Sequence, residues 1–198
     1  IVVDSAAIGY GASTRNGGML GSGHKVSTDD ATRQYGPKIA SQLHQEANAS
    51  LAFTTNLIQE NKIECELQLC GRLRTAWLPK DQVDMASNLK KLQFIENFNS
   101  NMINSEKMPE SIKTDLYFGG QLFNDHGAVQ PRKFHYGLLQ LAIKAGAKVY
   151  GESEVFDVKR ESNAKNNAFK ISTKKGLILC SDVLMATNGY TPVSYTHL

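Results

Sequence analysis

Long apolar runs are missing from this sequence of 198 residues. None approaches the roughly 18 residues that a helix needs to cross a bilayer, so no contact with a membrane is expected. Charge of one sign is missing too, since 22 Lys and Arg stand against 19 Asp and Glu for a net +3. That even balance excludes the basic footprint of a nucleic-acid binder. Cysteine is scarce and odd in number, at Cys65, Cys70 and Cys180. The spacing fits neither a disulfide framework nor a zinc site and reads as reduced thiols, which implies a cytoplasmic protein. His24, His44, His126, His135 and His197 offer no pair at ligand spacing, and no metal is expected. There is no internal repeat and no low-complexity tract. No secretory signal is in view, although a start upstream of Ile1 would hide one.

What is present fits a globular protein, with 41% hydrophobic and 21% charged residues. Ile1-Val2-Val3 is a β-branched run of the kind buried on both faces of a parallel sheet. A glycine-rich stretch from Gly9 to Gly23 follows and cannot be regular throughout. Asp29 and Asp30 offer an N-cap to a long helix whose apolar stripe is Tyr35, Ile39, Leu43, Ala47, Leu51 and Leu57 or Ile58. Pro37 falls where the regular part would begin, and Asn61-Lys62 ends it.

Further on, Cys65 to Leu69 alternates as a strand does, and Leu73 to Trp77 predicts a second strand. Pro79-Lys80-Asp81 opens a helix with Met85, Leu89 and Leu92 inward. Met108-Pro109-Glu110 is a turn that starts a single helical turn, Leu116-Tyr117-Phe118 and Gln121-Leu122-Phe123 flank Gly119-Gly120, and Asn124 to Gly127 is a turn. Pro131 suits the first turn of a helix whose buried face is Phe134, Leu138, Leu141 and Ala142. Lys148-Val149-Tyr150 is a strand, and Val155 to Val158, Phe169 to Ser172 and Leu177 to Cys180 form a small antiparallel set. Val183 to Thr187 predicts a last apolar strand.

Gly9-Tyr10-Gly11-Ala12-Ser13-Thr14 invites a dinucleotide fingerprint, but Thr14 stands where its third glycine belongs. A flexible surface loop is the plain alternative. A second reading uses Asp4, a carboxylate at the end of a buried strand, where nucleotide-binding α/β folds hold ribose hydroxyls. A helix cap or turn residue is its alternative role. Ala12 to Gly18 then offers hydroxyls, a guanidinium and bare backbone amides, donors suited to a pyrophosphate and the edge of a planar ring. Arg15 serves equally as a solvated surface charge.

The segment Asp4 to Gly18 resembles the E-A-x-x-I-G-(aromatic)-G-A-S-G-R-N-G-G pattern of FAD-dependent amino acid and amine oxidoreductases of the D-amino-acid-oxidase superfamily, nearest its γ-glutamylputrescine oxidoreductase branch. Gly119 to Pro131 is similar to that family's approach to its middle helix. Gly146 to Tyr150 with Ser153-Glu154-Val155 is similar to its strand pair, and Ala186 to Thr191 to its A-T-N-(small)-Y-T motif. Asp4 replaces the usual Glu, Thr14 a Gly, and Gln130 a common His.

The resemblance implies a mixed α/β fold in which an FAD-binding Rossmann-like domain is interleaved with an antiparallel-sheet substrate domain. It places residues 1–62 and 129–192 in the cofactor domain and 63–128 in the substrate domain. It also implies a fragment truncated at both ends, with 193–198 a non-native tail. The implied activity is oxidation of the C–N bond of a small-molecule amine or amino acid, by hydride transfer to FAD. By matching positions, Asp4 binds the adenosine ribose, while Ala12, Ser13, Arg15, Asn16, Gly17 and Gly18 line the pyrophosphate and the inner flavin edge. Val155 meets adenine through its backbone, and Ala186, Thr187 and Gly189 approach the phosphate and ribityl region. For Val155 and Ala186, strand packing is equally compatible. Trp77 could face an amine or sit in a core, and His24 reads as a surface histidine. A nicotinamide-dependent dehydrogenase and a non-catalytic nucleotide-binding fragment are the rival classes.

Overall fold

The computed structural model describes residues 1–92, 98–160 and 168–190; the tail expected at 193–198 lies outside them. The strands in chain order are β1 (Val2–Val3), β2 (Met19–Leu20), β3 (Arg72–Thr75), β4 (Ser100–Asn104) and β5 (Gly119–Phe123). They continue with β6 (Gly127–Ala128), β7 (Val149–Tyr150), β8 (Val155–Arg160), β9 (Phe169–Thr173) and β10 (Gly176–Cys180). The helices are α1 (Thr28–Glu60), α2 (Pro79–Leu92), α3 (Met108–Ser111) and α4 (Pro131–Lys144). The architecture is mixed helix and sheet. Contacts divide the chain into two compact units, residues 16–137 and residues 1–15 with those from 138 onward. Among the described residues, no helix is long and apolar enough to cross a membrane.

In the unit formed by residues 16–137, α1 begins one turn earlier than the two aspartates predict. Ser27 is the N-cap, accepting from the Asp30 amide at 3.1 Å while its own hydroxyl donates to the Asp30 carboxylate at 2.7 Å. Asp29 and Asp30 instead occupy the first turn, where negative charge meets the positive end of the helix dipole. Gly36 breaks the helix with φ 79° and ψ 162°, and Pro37 restarts it as expected. The first turns after the break are offset by one position, with Ala40 and His44 inward in place of Ile39 and Leu43, whereas Ala47, Leu51 and Ile58 face inward as expected. Ala31, Ala40, His44, Ala47, Leu51 and Ile58 face inward, while Tyr35 and Ile39 are exposed. Asn61 caps the end, and Lys62 follows at φ 51°.

Strands β3, β5 and β4 form an antiparallel sheet with β5 in the middle. Helix α2 packs on it through buried Met85, Leu89 and Leu92, and Gln82 donates to the Ile103 carbonyl at 3.1 Å. Beside this sheet, residues 126–130 are bonded on both edges. On one side β6 pairs antiparallel with β2, and the Val129 amide reaches the Gly18 carbonyl at 2.8 Å. On the other, Gln68 and Ala128 exchange two bonds of 2.9 Å, Gln130 donates to Cys65 and Gly71 to His126. The strand expected over Cys65 to Leu69 is reduced to that single bridge. Glu66 at φ 56° and Gly71 at φ 79° turn the backbone out of the extended region on either side of it. The adjoining core gathers Ile58, Cys65 and Val129, with Leu20, Ile63, Leu67 and Phe134 against them. Of the face predicted for α4, Phe134, Leu138 and Leu141 are half-buried and Ala142 is exposed.

In the unit that contains β1, the expected parallel pairing is present: Val2 lies opposite Val149 and Val3 opposite Tyr150. Its faces are not buried, however, for Val2 is 52% and Tyr150 49% exposed. Strands β8, β9 and β10 form the predicted antiparallel set, with a bulge between Val155 and Asp157. Val183 to Thr187 is not a strand. An apolar run becomes a strand only where an edge accepts its hydrogen bonds.

The displaced stripe on α1 is directly testable. Ile58→Ala should lower unfolding free energy by about 2 to 5 kcal/mol, whereas Ile39→Ala should cost under about 1. Denaturant melts of the two variants check this. Equal losses would restore the stripe that the unbroken periodicity predicts.

Candidate functional site

Asp4 stands immediately after β1, where the pairing with β7 ends. Its amide donates to the Tyr150 carbonyl at 3.0 Å, and its carbonyl accepts from the Ser153 amide at 2.7 Å. One carboxylate oxygen accepts from the Ala6 amide at 2.9 Å, a turn-forming bond that orients the side chain at the strand end. The next turns pack against the segment after β7. The Ala6 carbonyl accepts from Glu152, and a Cβ on Gly151 would lie 3.0 Å from that oxygen. Ser153 is buried, with its hydroxyl donating to the Gly151 carbonyl. Asp4 and the approach to Val155 are thereby brought together. Val155 itself is half-buried at the start of β8, opposite Thr173.

Ala12–Thr14 forms one turn of 3-10 helix, and the Arg15 amide closes it on Ala12 at 3.1 Å. Thr14 explains its own departure from the glycine pattern. Its hydroxyl donates to the Gly9 carbonyl at 2.6 Å, tying the loop from within. The Arg15 guanidinium lies 4.1 Å from the centre of the Tyr10 ring, an exposed cation–π contact. Sequence reading gave Tyr10 no role, yet it is the ring that Arg15 packs on. An aromatic five residues before the loop's arginine was the available signal. Ala12, Ser13 and Gly11 are exposed, and a Cβ on Gly11 would meet nothing within 4 Å. Ala186, Thr187 and Gly189 are also exposed, at and before the turn Asn188–Tyr190.

In the other unit, Asn16 shapes the glycine pair. Its side-chain oxygen accepts from the Gly18 amide at 2.8 Å. Gly17 is exposed with open space above it, whereas Gly18 is buried at φ 67°. A Cβ on Gly18 would fall 2.0 Å from the Val129 carbonyl, so only glycine fits. Beyond it, Ser22 donates through its amide to His126 Nε2 at 3.1 Å. His126 is 1% exposed and stacks on Phe123 with ring centres 4.6 Å apart.

Other sequence candidates are less organised. Trp77 is 63% exposed rather than a core residue, edge-on to Tyr117 at 4.9 Å. His24 is exposed and bonds the Leu43 carbonyl at 2.8 Å. Burial pushes the Cys65 thiol up, which keeps it protonated and unreactive. Among the described residues, no three His, Cys, Asp or Glu side chains converge on a metal position.

Comparison with known proteins gives a family match along the chain. The model of the family described as FAD dependent oxidoreductase (DAO) matches residues 1–197. A probable oxidoreductase, OrdL, of Haemophilus influenzae is 26% identical over 196 residues, covering 98% of this chain and 44% of the relative. The γ-glutamylputrescine oxidoreductase of Escherichia coli is 23% identical over 190 residues, covering 96% and 43%. Glycine oxidase from Geobacillus kaustophilus superimposes with a TM-score of 0.71 at 21% identity, covering 93% of this chain and 47% of that one. The chain spans less than half the length of these curated relatives.

The contrast within the glycine pair can be measured. Gly18→Ala should destabilise the protein by about 2 kcal/mol or more, from its left-handed backbone and the blocked Val129 carbonyl. Gly17→Ala should stay within about 1 kcal/mol. Thermal melts compare the two, and equal tolerance would contradict the packing of Gly18.

Proposed function

The chain belongs to the DAO family of FAD-dependent oxidoreductases, and from that premise we propose that its protein oxidises the C–N bond of a small amine or amino acid. The observation that carries this reading is the pairing of Asp4, fixed at the end of a parallel strand, with an exposed loop of small residues ending in Arg15. The residues fit the cofactor. With one oxygen turned to Ala6, the Asp4 carboxylate keeps an acceptor for ribose hydroxyls. The open space over Gly11 lets a bulky group lie close to the backbone of the loop. Arg15 and Ser13 supply the charge and hydroxyl that a pyrophosphate takes.

In this reading Asp4 holds the adenosine ribose, and Ala12, Ser13 and Arg15 hold the pyrophosphate. Asn16, Gly17 and Gly18 border the flavin edge, with Gly18 keeping that border in register through Val129. Val155 meets the adenine through its backbone, while Ala186, Thr187 and Gly189 serve the phosphate and ribityl region. Residues 1–62 and 129–192 then belong to the cofactor domain and 63–128 to the substrate domain. When bound, FAD supplies the two-electron oxidation of the amine carbon. The protein's task is to bind and orient, and no residue of this chain is assigned as a base. A γ-glutamylputrescine-like substrate is the specific proposal, supported by the name of the Escherichia coli relative.

The whole-length protein should purify with flavin absorbance that bleaches anaerobically when an amine is added. A colourless protein that binds NAD instead would overturn the proposal. Arg15→Ala should weaken FAD binding by roughly tenfold, about 1.4 kcal/mol. Flavin fluorescence titration measures it, and unchanged affinity would remove Arg15 from the site.

A further inference from the structure

The hydrogen bond at His126 fixes its protonation pattern. A backbone amide can only donate, so the Nε2 atom facing the Ser22 amide at 3.1 Å must accept. The Ser22 hydroxyl sits at 3.0 Å from the same nitrogen. A neutral ring therefore carries its proton on Nδ1. That Nδ1 is buried and has no hydrogen-bond partner among the described residues. It lies under Gly21, where a Cβ would come within 2.7 Å of it. Phe123 covers one face of the ring.

The imidazole takes the place of the next rung in the ladder between β2 and β6. Gly18, Met19, Leu20 and Ser22 are held in sequence by Val129, Ala128, Gly127 and the His126 ring. We propose that His126 is a positioning residue, a neutral latch that pins Ser22 and the glycine pair behind it, and that protonation of Nε2 opens the latch. Protonation would set two donors face to face across the Ser22 amide hydrogen bond, and that bond must break; the new N–H can then donate only to the Ser22 hydroxyl, so the backbone amide is released. The assignment of this stretch to the flavin edge rests on the proposed function, whereas the latch itself does not.

The charged groups acting on the ring are Asp125, which favours the cation, and Arg72, which disfavours it. Burial is the largest influence; with Arg72 it outweighs Asp125 and holds His126 below the usual histidine value of 6.5. A depressed histidine contributes stability above its unfolded value and loses it as pH falls through the folded one. The latch is thus closed at neutral pH and opens in acid.

The test uses the full chain with 15N-labelled histidine, followed from about pH 8 to pH 5, with amide exchange measured at Ser22. The expected result is a ring protonated on Nδ1, a protected Ser22 amide at neutral pH, and loss of protection as the pH falls below the usual histidine value of 6.5. A proton on Nε2 at neutral pH, or a Ser22 amide indifferent to the titration, would overturn the latch. His126→Gln places an amide oxygen near Nε2 and cannot be protonated, so it should keep protection and abolish the acid step. A persisting acid step in that variant would assign it elsewhere, His44 being the other buried histidine depressed in the same direction. In the flavin-loaded whole protein, acid should speed flavin release about tenfold in the parent and leave His126→Gln unchanged. Release that ignores pH while the Ser22 signature is intact would overturn the link to the cofactor. Failure to bind flavin at any pH would count against the proposed function and not against the latch.

Discussion

One extended segment, residues 126–130, organises the unit that contains the glycine pair. It bonds on one edge to the chain after the glycine loop and on the other to residues 65–71. Two close approaches make this possible. A Cβ on Gly127 would fall 2.1 Å from the Gln68 carbonyl, and one on Gly18 would fall 2.0 Å from that of Val129. Backbone groups pair at such spacing only where no side chain intervenes. The apolar side chains of the same segments then close the cluster of Ile58, Cys65 and Val129. Without the ladder, Gly18 to Leu20 would lose the partners along that edge.

The first fifteen residues solve a different problem. A loop offered to a ligand must be open and yet hold one shape. Its shape comes from internal bonds: Asp4 to the Ala6 amide, Thr14 to the Gly9 carbonyl, and Arg15 to Ala12. Its openness comes from small residues at its outer positions. The Arg15 guanidinium is parked on Tyr10, which limits its freedom while leaving it exposed. Less conformational entropy is lost when such a side chain meets an anion.

Much of the organisation was legible. Pro37 after Gly36, Pro131 at the start of α4 and the inward Met85, Leu89 and Leu92 of α2 all follow local rules of capping and periodicity. The antiparallel set β8 to β10 followed from alternation between polar turns. Where the reading failed, a long-range partner or a backbone outlier decided the result. Glu66 at φ 56° broke an alternating run, Gly36 offset the first turns of a helical stripe, and Val183 to Thr187 is not a strand. None of these leaves a periodic trace in composition.

The candidate site divides along the same line. The residue types near the loop determined its chemistry: a carboxylate after an apolar strand, then glycines, hydroxyls and a guanidinium, because donor and acceptor identity is local. Only the tertiary structure could decide which glycine is indispensable and which histidine carries its proton where. Gly17 and Gly18 are the same residue in sequence, and the Val129 carbonyl and a left-handed backbone at Gly18 separate them. His126 is one of five histidines in the sequence, and only the Ser22 amide, 104 residues away, fixes its tautomer. Those distinctions depend on what lies within a few ångströms in space, and sequence distance does not encode it.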